Sequence, residues 1–279
     1  MSMLLSSLVL IRFVNMLISF IAGMLSVYLA VPEKFHLATA LVVGITASLT
    51  AGFGNVINDI ADIEIDRINK PERPLPSGRI SIPQAKFLAL LLCGGAILTG
   101  LLYLQIGPIT VLLFSNFVIA MYSLFLKQIP LAGNAVVAFF TGLVFIYGGM
   151  AAGNLAAGFI PAGFAFLSNF IREIVKTAED VVGDSARGVL TFPGKYGTEN
   201  TKRLVRVLSM VLLLATFLPF LTQWYRIEYF IIAMTMVNPL LVLVIRNVGK
   251  CSNDKDWHAV STLLKLVMIS GLIAIAAGV

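Results

Sequence analysis

The sequence predicts an all-α polytopic membrane protein with about nine transmembrane helices, and three observations predict it. Hydrophobic residues make up 58% of the chain and charged residues only 12%, about half the charged share of a soluble domain. Apolar runs long enough to cross a bilayer, about 18 residues or more, recur along the whole chain. No long polar linker separates these runs, so we predict a single intramembrane domain over residues 1–279.

Each predicted helix is an apolar run with few charged residues. The runs cover residues 8–31, 36–57, 84–104, 107–126, 130–153, 158–178, 203–222, 228–246 and 257–278. Five prolines lie near the predicted helix starts or in connections, where a missing N–H matters least: Pro32, Pro83, Pro108, Pro130 and Pro161. Two further prolines, Pro219 and Pro239, lie inside runs and are expected to kink their helices.

Basic residues are concentrated in the loops on one side of these helices. The loops after the second, fourth, sixth and eighth runs hold most of the twenty Lys and Arg residues, whereas the opposite loops hold only Lys34 and Arg226. The positive-inside rule therefore predicts a protein of the cell membrane with a cytoplasmic N-terminus and an outer C-terminus. The net charge of +6 reflects this topology and anionic ligands, and no nucleic-acid module is recognisable.

Acidic residues cluster at the inner ends of two predicted helices. Eight of the fourteen lie in two short stretches: Asp59, Asp62, Glu64, Asp66, Glu173, Glu179, Asp180 and Asp184. In the first stretch Asn58, Asp62 and Asp66 are four residues apart, so on a helix they share one face. Asp180 and Asp184 repeat this spacing 118 residues later. The two halves therefore look like a diverged internal repeat, an arrangement that commonly places a site at the repeat interface.

The two acidic stretches predict a metal site. Carboxylates beside hydrocarbon are costly without a positive partner, and Mg²⁺ typically binds one or two carboxylates together with substrate phosphates. Two carboxylate sets suggest two Mg²⁺ ions bridged by a diphosphate, whose developing charge they would neutralise. The predicted ligands are Asn58, Asp62, Asp66, Asp180 and Asp184, and the four aspartates are also the predicted catalytic residues. Solvated helix ends or structural ion pairs are the alternative.

Basic residues near the motifs are predicted to bind the same diphosphate. Lys70 and Arg73 follow the first motif in a proline-rich loop, and Lys127 lies at the inner end of the fourth predicted helix. Together with Asn58 they form the predicted diphosphate-binding set. As isolated loop cations they would instead be signals of membrane topology, and this alternative stays open.

These motifs resemble those of the UbiA-type intramembrane prenyltransferases. The resemblance covers nearly the whole chain and rests on Asn58-Asp59-x-x-Asp62-x-x-x-Asp66, Arg73-Pro74-Leu75, Tyr122-Ser123 before Lys127, Gly133-Asn134 and the second acidic motif. It implies a nine-helix bundle around a central cavity that opens sideways to the lipid bilayer. Two Mg²⁺ ions would hold a polyprenyl diphosphate there, and the prenyl group would pass to an acceptor.

The second motif is similar to the ether-lipid branch of this family, with Arg172-Glu173 and Lys176 as its marks. The resemblance implies transfer from geranylgeranyl diphosphate to the hydroxyl of geranylgeranylglyceryl phosphate. Arg172 and Lys176 are expected to bind the acceptor phosphate, because a lysine at membrane depth needs an anion and a guanidinium fork suits a phosphate. Alternatively, the two cations pair only with Glu173 and Asp180 on their own helix.

Several further residues are candidates for the cavity, with packing or interface roles as the alternatives: Arg12, Asn15, Asp59, Tyr122, Tyr147, Asn169 and Glu173. Arg12 and Asn15 lie at the inner end of the first predicted helix, where an arginine often extends to the interface. Tyr122 and Tyr147 would face an allylic cation through their ring quadrupoles. No general base is assigned by the sequence.

Three other functions compete with this interpretation. The same fold could act on an aromatic acceptor, such as a quinone, haem or chlorin precursor. A transporter with ion-coupling carboxylates usually carries them near the membrane midplane, whereas these lie at helix ends beside basic loops. A CDP-alcohol phosphotransferase needs an upstream Asp-Gly-x-x-Ala-Arg, which the chain lacks. The sequence predicts neither the prenyl chain length nor the oligomeric state.

Overall fold

All regular elements of the described residues are helical. The computed structural model describes residues 3–123, 131–181 and 191–279. Its α-helices are α1 (Met3–Leu10), α2 (Phe13–Ala30), α3 (Leu37–Ala61), α4 (Ile63–Asn69), α5 (Ile82–Tyr103), α6 (Ile106–Met121), α7 (Ala132–Ala151), α8 (Leu155–Glu179), α9 (Phe192–Tyr196), α10 (Thr198–Ala215), α11 (Leu218–Leu221), α12 (Ile227–Ile232), α13 (Asn238–Val248) and α14 (Asp254–Gly278). The predicted all-α class is confirmed.

Eight helical segments of the described residues are long and apolar enough to cross a membrane. They are Phe13–Ala30, Leu37–Ala61, Ile82–Tyr103, Ala132–Ala151, Leu155–Glu179, Thr198–Leu221, Ile227–Val248 and Asp254–Gly278. The shorter apolar helix α6 is a ninth candidate. This agrees with the predicted count of about nine, and the chain is an integral membrane protein.

The first predicted helix is interrupted at a point that the sequence pattern did not indicate. α1 ends at Leu10 and α2 begins at Phe13, and Arg12 between them has a φ of 52°. Such a left-handed backbone is uncommon outside glycine. Asn55 Nδ2 of α3 donates to the carbonyl oxygen of Ile11 at 2.9 Å, so a backbone acceptor at the interruption has a partner.

The α-helix is interrupted at or next to each of the two interior prolines, where kinks were predicted. α10 ends at Ala215, and Pro219 lies in the separate short helix α11. Pro239 is the second residue of α13, directly after a π-helical turn over Ala233–Val237. Both interruptions fit a residue that lacks a backbone N–H and whose ring crowds the carbonyl four residues earlier.

Pro161 does not lie where the sequence placed it. It is inside α8, because this helix begins at Leu155 and not near residue 158. The side-chain oxygen of Asn154 lies 3.4 Å from the backbone nitrogen of Ala157, a contact typical of a helix N-terminus. The helix therefore begins three residues before the predicted run 158–178. Pro130 lies outside the described residues.

The described residues divide into two compact units. The first comprises residues 3–123 and 144–158, and the second comprises residues 131–143, 159–181 and 191–279. The single domain that the sequence suggests therefore stays a prediction. In the first unit the core includes Val27, Val43 and Tyr147, all almost fully buried.

Helices α2 and α3 of the first unit approach closely at a pair of glycines. A Cβ atom on Gly23 would lie 2.9 Å from the Cα of Gly44 and 3.0 Å from the carbonyl oxygen of Val43. Small residues at such contacts let two helix backbones meet, as is usual in membrane proteins. The backbone atoms that a Cβ would meet cannot rotate away.

Gly23→Ala is therefore expected to destabilise the protein by about 1–3 kcal/mol, the usual scale of overpacking. The apparent Tm of the purified protein in detergent measures the effect. The matched control is Gly94→Ala on α5, where a Cβ atom would meet nothing within 4 Å and alanine favours the helix. Equal Tm values for the two variants would contradict this account of the α2–α3 contact.

The second unit carries buried polar contacts beside its interrupted helices. Tyr229 Oη donates to the carbonyl oxygen of Thr216 at 2.9 Å, and Thr216 Oγ1 lies 3.0 Å from Asn238 Oδ1. These contacts hold backbone and side-chain groups where α10 ends and α13 begins. Leu241 and Leu264 are fully buried in the same unit.

Candidate active site

Two arginines and two aspartates form an ionic cluster in the first unit, which we call the Asp59–Asp66 cluster. Arg73 Nη1 lies 2.6 Å from Asp66 Oδ2 and 3.4 Å from Asp59 Oδ1. Arg12 Nη2 lies 2.8 Å from the same Asp59 oxygen. The side chains of Asp59 and Asp66 are only 6% and 8% exposed. Two cations facing two buried carboxylates offset part of the cost of removing those carboxylates from water.

The first acidic motif is carried by two helices and not by the single helix that the spacing predicts. α3 ends at Ala61, α4 begins at Ile63, and Asp62 between them has φ −93° and ψ 4°. The hydrogen bonds nevertheless keep the four-residue step: Asp62 N–H donates to Asn58 O at 2.9 Å, and Asp66 N–H to Asp62 O at 2.8 Å. The sequence could not show this interruption, because the residues on either side of Asp62 are of types that helices commonly contain.

The loop after α4 brings Arg73 back to the carboxylates. Arg73 N–H donates to the carbonyl oxygen of Lys70 at 2.9 Å, and Ile80 N–H to that of Pro74 at 3.1 Å. Leu75 and Ile80 are both buried in the core of the first unit. Two apolar anchors and these turns hold the proline-rich loop against the unit, so the guanidinium of Arg73 has a defined position.

Asn58 is held by Ser123, which is not among the predicted site residues. Ser123 Oγ lies 3.2 Å from Asn58 Oδ1 and 3.1 Å from the carbonyl oxygen of Ile119. The contact joins the end of α6 to α3. Its only sequence signal is the position of Ser123 in the Tyr122-Ser123 pair, because two residues 65 positions apart share no periodic pattern.

A second ionic cluster, the Glu173 cluster, lies on α8 in the second unit. Lys176 Nζ lies 3.2 Å from both carboxylate oxygens of Glu173, and Arg172 Nη1 lies 3.3 Å from Glu173 Oε1. Both cations thus contact Glu173, as the alternative interpretation requires. Two cations on one carboxylate nevertheless leave a net positive charge. Arg172 Nε is buried without a hydrogen-bond partner in the described part of the chain, so the cluster retains an unused donor.

The other predicted residues have varied surroundings. Asn169 is buried and donates through Nδ2 to Thr141 Oγ1 at 2.9 Å. Tyr147 is a core residue whose hydroxyl lies 2.6 Å from Thr46 Oγ1, which favours packing over a contact with an allylic cation. Asn15, Lys70 and Asp180 are exposed, and Asp62 and Tyr122 are half-buried. Lys127 and Asp184 lie outside the described residues.

The first motif has the donor chemistry that Mg²⁺ requires. No group of three Asp, Glu, His or Cys side chains is assembled as a metal site among the residues that the structure describes. Mg²⁺, however, needs only one or two carboxylates when phosphates and waters complete its octahedron. The hard oxygens of Asn58, Asp62 and Asp66 suit this ion. The contact between the Arg73 guanidinium and the Asp66 carboxylate also indicates that this carboxylate stabilises a cation.

A further side-chain contact joins the end of α8 to the start of α14. His258 Nδ1 lies 2.8 Å from Glu179 Oε1, next to Asp180 in the chain. No sequence pattern indicates this contact, because the two residues are 79 positions apart. The contact fixes the last residue of α8 before the second acidic motif continues.

The chain is similar along most of its length to proteins of one named family. Residues 16–269 match the UbiA prenyltransferase family. The digeranylgeranylglyceryl phosphate synthase of Methanococcus maripaludis is 33% identical over 266 residues, which are 93% of this chain and 91% of that protein. The protein of the same name from Methanothermobacter thermautotrophicus is 35% identical over 270 residues, 96% of this chain and 93% of that one.

Solved structures share the fold. A digeranylgeranylglyceryl phosphate synthase superimposes with a TM-score of 0.85 at 31% identity, covering 100% of this chain and 99% of that one. A UbiA homolog from Archaeoglobus fulgidus, bound to GPP and Mg²⁺, superimposes with a TM-score of 0.71, covering 97% and 99%. At 18% identity the second likeness concerns the fold alone, and its ligands belong to that protein.

Proposed function

The chain belongs to the UbiA prenyltransferase family, and from this premise we propose that it is a Mg²⁺-dependent geranylgeranyltransferase. It moves the geranylgeranyl group of geranylgeranyl diphosphate to the free hydroxyl of geranylgeranylglyceryl phosphate, which forms the second ether bond of a membrane lipid. The observation that carries the proposal is the 33–35% identity, over more than nine-tenths of the chain, to digeranylgeranylglyceryl phosphate synthases. Membership of this enzyme family also decides against the transporter and the phosphotransferase.

On the donor side, the first acidic motif and its loop are proposed to hold the diphosphate. Among the described residues, Arg73 contacts Asp59 and Asp66 through Nη1 alone, and its other N–H groups are proposed to donate to diphosphate oxygens in the fork geometry that suits them. Lys70 is exposed three residues earlier, and the sequence assigns Lys127 to the same ligand. Mg²⁺, when bound, supplies neutralisation of the charge that develops on the departing diphosphate.

Two Mg²⁺ ions are proposed, one for each acidic motif. Asn58, Asp62 and Asp66 would hold one ion, and Asp180 and Asp184 the other, each together with diphosphate oxygens. The support for the second ion is the repeated four-residue spacing in the sequence. A count of bound Mn²⁺ per chain in the presence of a non-hydrolysable diphosphate analogue tests this number, and one ion per chain would contradict it.

On the acceptor side, the Glu173 cluster is proposed to bind the phosphate of geranylgeranylglyceryl phosphate. Its net positive charge and the unused Arg172 Nε fit an anion, and a guanidinium fork is the usual phosphate partner. In the reaction the acceptor oxygen bonds to the first carbon of the prenyl chain, and the bond from that carbon to the diphosphate breaks. The hydroxyl proton is proposed to leave with the released diphosphate, since no side chain is assigned as the base.

Lys176→Ala is expected to raise the KM for geranylgeranylglyceryl phosphate about tenfold, the scale of one lost hydrogen bond to a charged group. The KM for geranylgeranyl diphosphate should stay within twofold, because Lys176 belongs to the acceptor side. Initial rates at varied concentrations of each substrate measure both constants. The matched control is Lys250→Ala, which removes an exposed cation outside both clusters. An unchanged acceptor KM would contradict the assignment.

Both acidic motifs are proposed to face the cytoplasm, with the N-terminus on the same side and the C-terminus outside. The support is the basic composition of the loops that follow the motifs. Labelling of single cysteines, introduced at Ser77 in one loop and at Gln223 on the other side, by a membrane-impermeant maleimide on intact cells tests this topology. Reaction at residue 77 without reaction at residue 223 would contradict it.

A further inference from the structure

A pocket separate from both ionic clusters lies where α9 meets α10 in the second unit. Its volume is about 330 Å³, and its lining residues are Phe192, Tyr196, Asn200, Arg203, Leu204 and Val207. Gly197 between the two helices has a φ of 82°, a conformation that glycine adopts without strain. This turn lets the aromatic residues of α9 stand beside the first turns of α10.

The lining changes from polar to apolar along α10. Asn200 and Arg203 lie near the start of this helix, and Leu204 and Val207 follow within one turn further along. The same helix begins the candidate membrane span Thr198–Leu221. The pocket therefore lies at the level where a membrane span passes from its polar end into its apolar part, which is where lipid headgroups meet hydrocarbon chains.

Aromatic rings form the other side of the pocket. The Phe192 and Tyr196 rings are 4.8 Å apart, and Tyr196 is about half exposed. Lys195 Nζ lies 5.2 Å from the centre of the Tyr196 ring. Tyrosine with neighbouring basic residues is typical of the interfacial region of a membrane protein.

The pocket carries a positive charge that its neighbours do not neutralise. Lys202 on the same helix is paired with Glu199 at 2.7 Å. Arg203, in contrast, makes no ion pair with any residue of the ranges 3–123, 131–181 and 191–279, and it is exposed. An arginine beside the apolar wall of a pocket fits a ligand that has a phosphate at one end and a hydrocarbon chain at the other.

We propose that this pocket binds an anionic phospholipid of the surrounding bilayer. The headgroup phosphate receives N–H groups of Arg203, and one hydrocarbon chain lies along Leu204 and Val207. A soluble phosphate would leave the apolar wall uncovered, and a zwitterionic lipid would bring a third cation beside Arg203 and Lys195. None of the lining residues belongs to either ionic cluster.

The test is lipid binding by the purified full chain, measured by native mass spectrometry during titration with phosphatidylglycerol or phosphatidylcholine. Wild-type protein is expected to retain phosphatidylglycerol in preference to phosphatidylcholine. Arg203→Gln is expected to weaken phosphatidylglycerol binding about fivefold, the effect of one basic residue at a membrane surface. Val207→Trp keeps every charge but fills the pocket, and it is expected to weaken the same binding at least as much.

The control variant is Arg246→Gln, which removes an exposed arginine at the end of α13 outside the pocket. Its phosphatidylglycerol binding should stay within twofold of wild type. Equal losses in Arg203→Gln and Arg246→Gln would show diffuse charge attraction and overturn the proposal. Normal binding by Val207→Trp would show that the pocket is not occupied. Displacement of the lipid by millimolar glycerol 3-phosphate would identify a site for soluble phosphates instead.

Discussion

Asp66→Asn is expected to lower the kcat/KM of geranylgeranyl transfer by about 10²–10³-fold, the usual loss when one preorganised electrostatic partner of a transition state is removed. Asp66 is buried and contacts Arg73 at 2.6 Å. Asparagine keeps the size of the side chain but removes its charge. The substitution therefore takes a hard anionic ligand from the proposed Mg²⁺ and leaves Arg73 with Asp59 as its only described carboxylate partner.

The control for this substitution is Glu64→Gln, two residues earlier on the same helix. Glu64 is exposed and pairs at 3.1 Å with Arg67, whose side chain is 57% exposed. Such surface pairs contribute little to stability, so the activity of the control should stay within twofold of wild type. If Asp66→Asn kept more than a tenth of the wild-type kcat/KM with an unchanged Tm, Asp66 would have no place in the donor site.

Arg73→Ala is expected to destabilise the metal-free protein by about 3 kcal/mol, the lower end of the range for a buried ion pair that loses one partner. The lower end applies because the Arg73 side chain is 23% exposed. Of the described cations that contact Asp59 and Asp66, only Arg12 would then remain to balance two buried charges. Mg²⁺ should raise the Tm of this variant more than that of wild type, because the ion replaces the missing cation. Activity should fall as well, since a diphosphate partner is lost.

Thermal unfolding in EDTA and in millimolar Mg²⁺ measures both effects. Arg67→Ala is the matched control, because it removes an arginine of the same region from an exposed pair. Its Tm should change by no more than a degree or two, and Mg²⁺ should not restore it. An Arg73→Ala protein with wild-type Tm in EDTA would contradict the role given to the Asp59–Asp66 cluster.

Features that repeat along the chain could be predicted from the sequence. Apolar runs located the membrane helices, because a span of fixed length must be continuously hydrophobic. Pro219 and Pro239 were expected to kink their helices, and the α-helix is interrupted at or next to both, since the missing N–H acts locally. The first acidic motif and the basic loop after it contain Asp66 and Arg73, which the structure brings into contact.

Contacts between distant residues could not be predicted in the same way. Arg12 and Asp59 are 47 positions apart, and no periodic pattern relates them. Arg12 reaches Asp59 beside an interruption between α1 and α2 that apolar composition does not reveal. Asp59 was only a cavity candidate in the sequence, yet it contacts both arginines of its cluster. The packing of the helices decides which charged residues pair, and amino-acid composition carries no information about that packing.

The Glu173 cluster bears on two interpretations of one motif. The sequence offered either pairing within the helix or a phosphate site. Arg172 and Lys176 do pair with Glu173, but one carboxylate cannot neutralise two cations. The remaining positive charge is why we retain the phosphate as the proposed ligand. Asp180, the other acid considered as a partner, is exposed just beyond the end of α8.

The most direct test of the central claim is a competition between acceptors. Purified protein is given geranylgeranyl diphosphate, Mg²⁺ and equal concentrations of geranylgeranylglyceryl phosphate and 4-hydroxybenzoate, with EDTA in a parallel reaction. We expect a metal-dependent product from the glyceryl phosphate alone, identified by its mass. Product from the aromatic acid alone would contradict the proposed acceptor and the role of the Glu173 cluster, while leaving the family and the donor site in place.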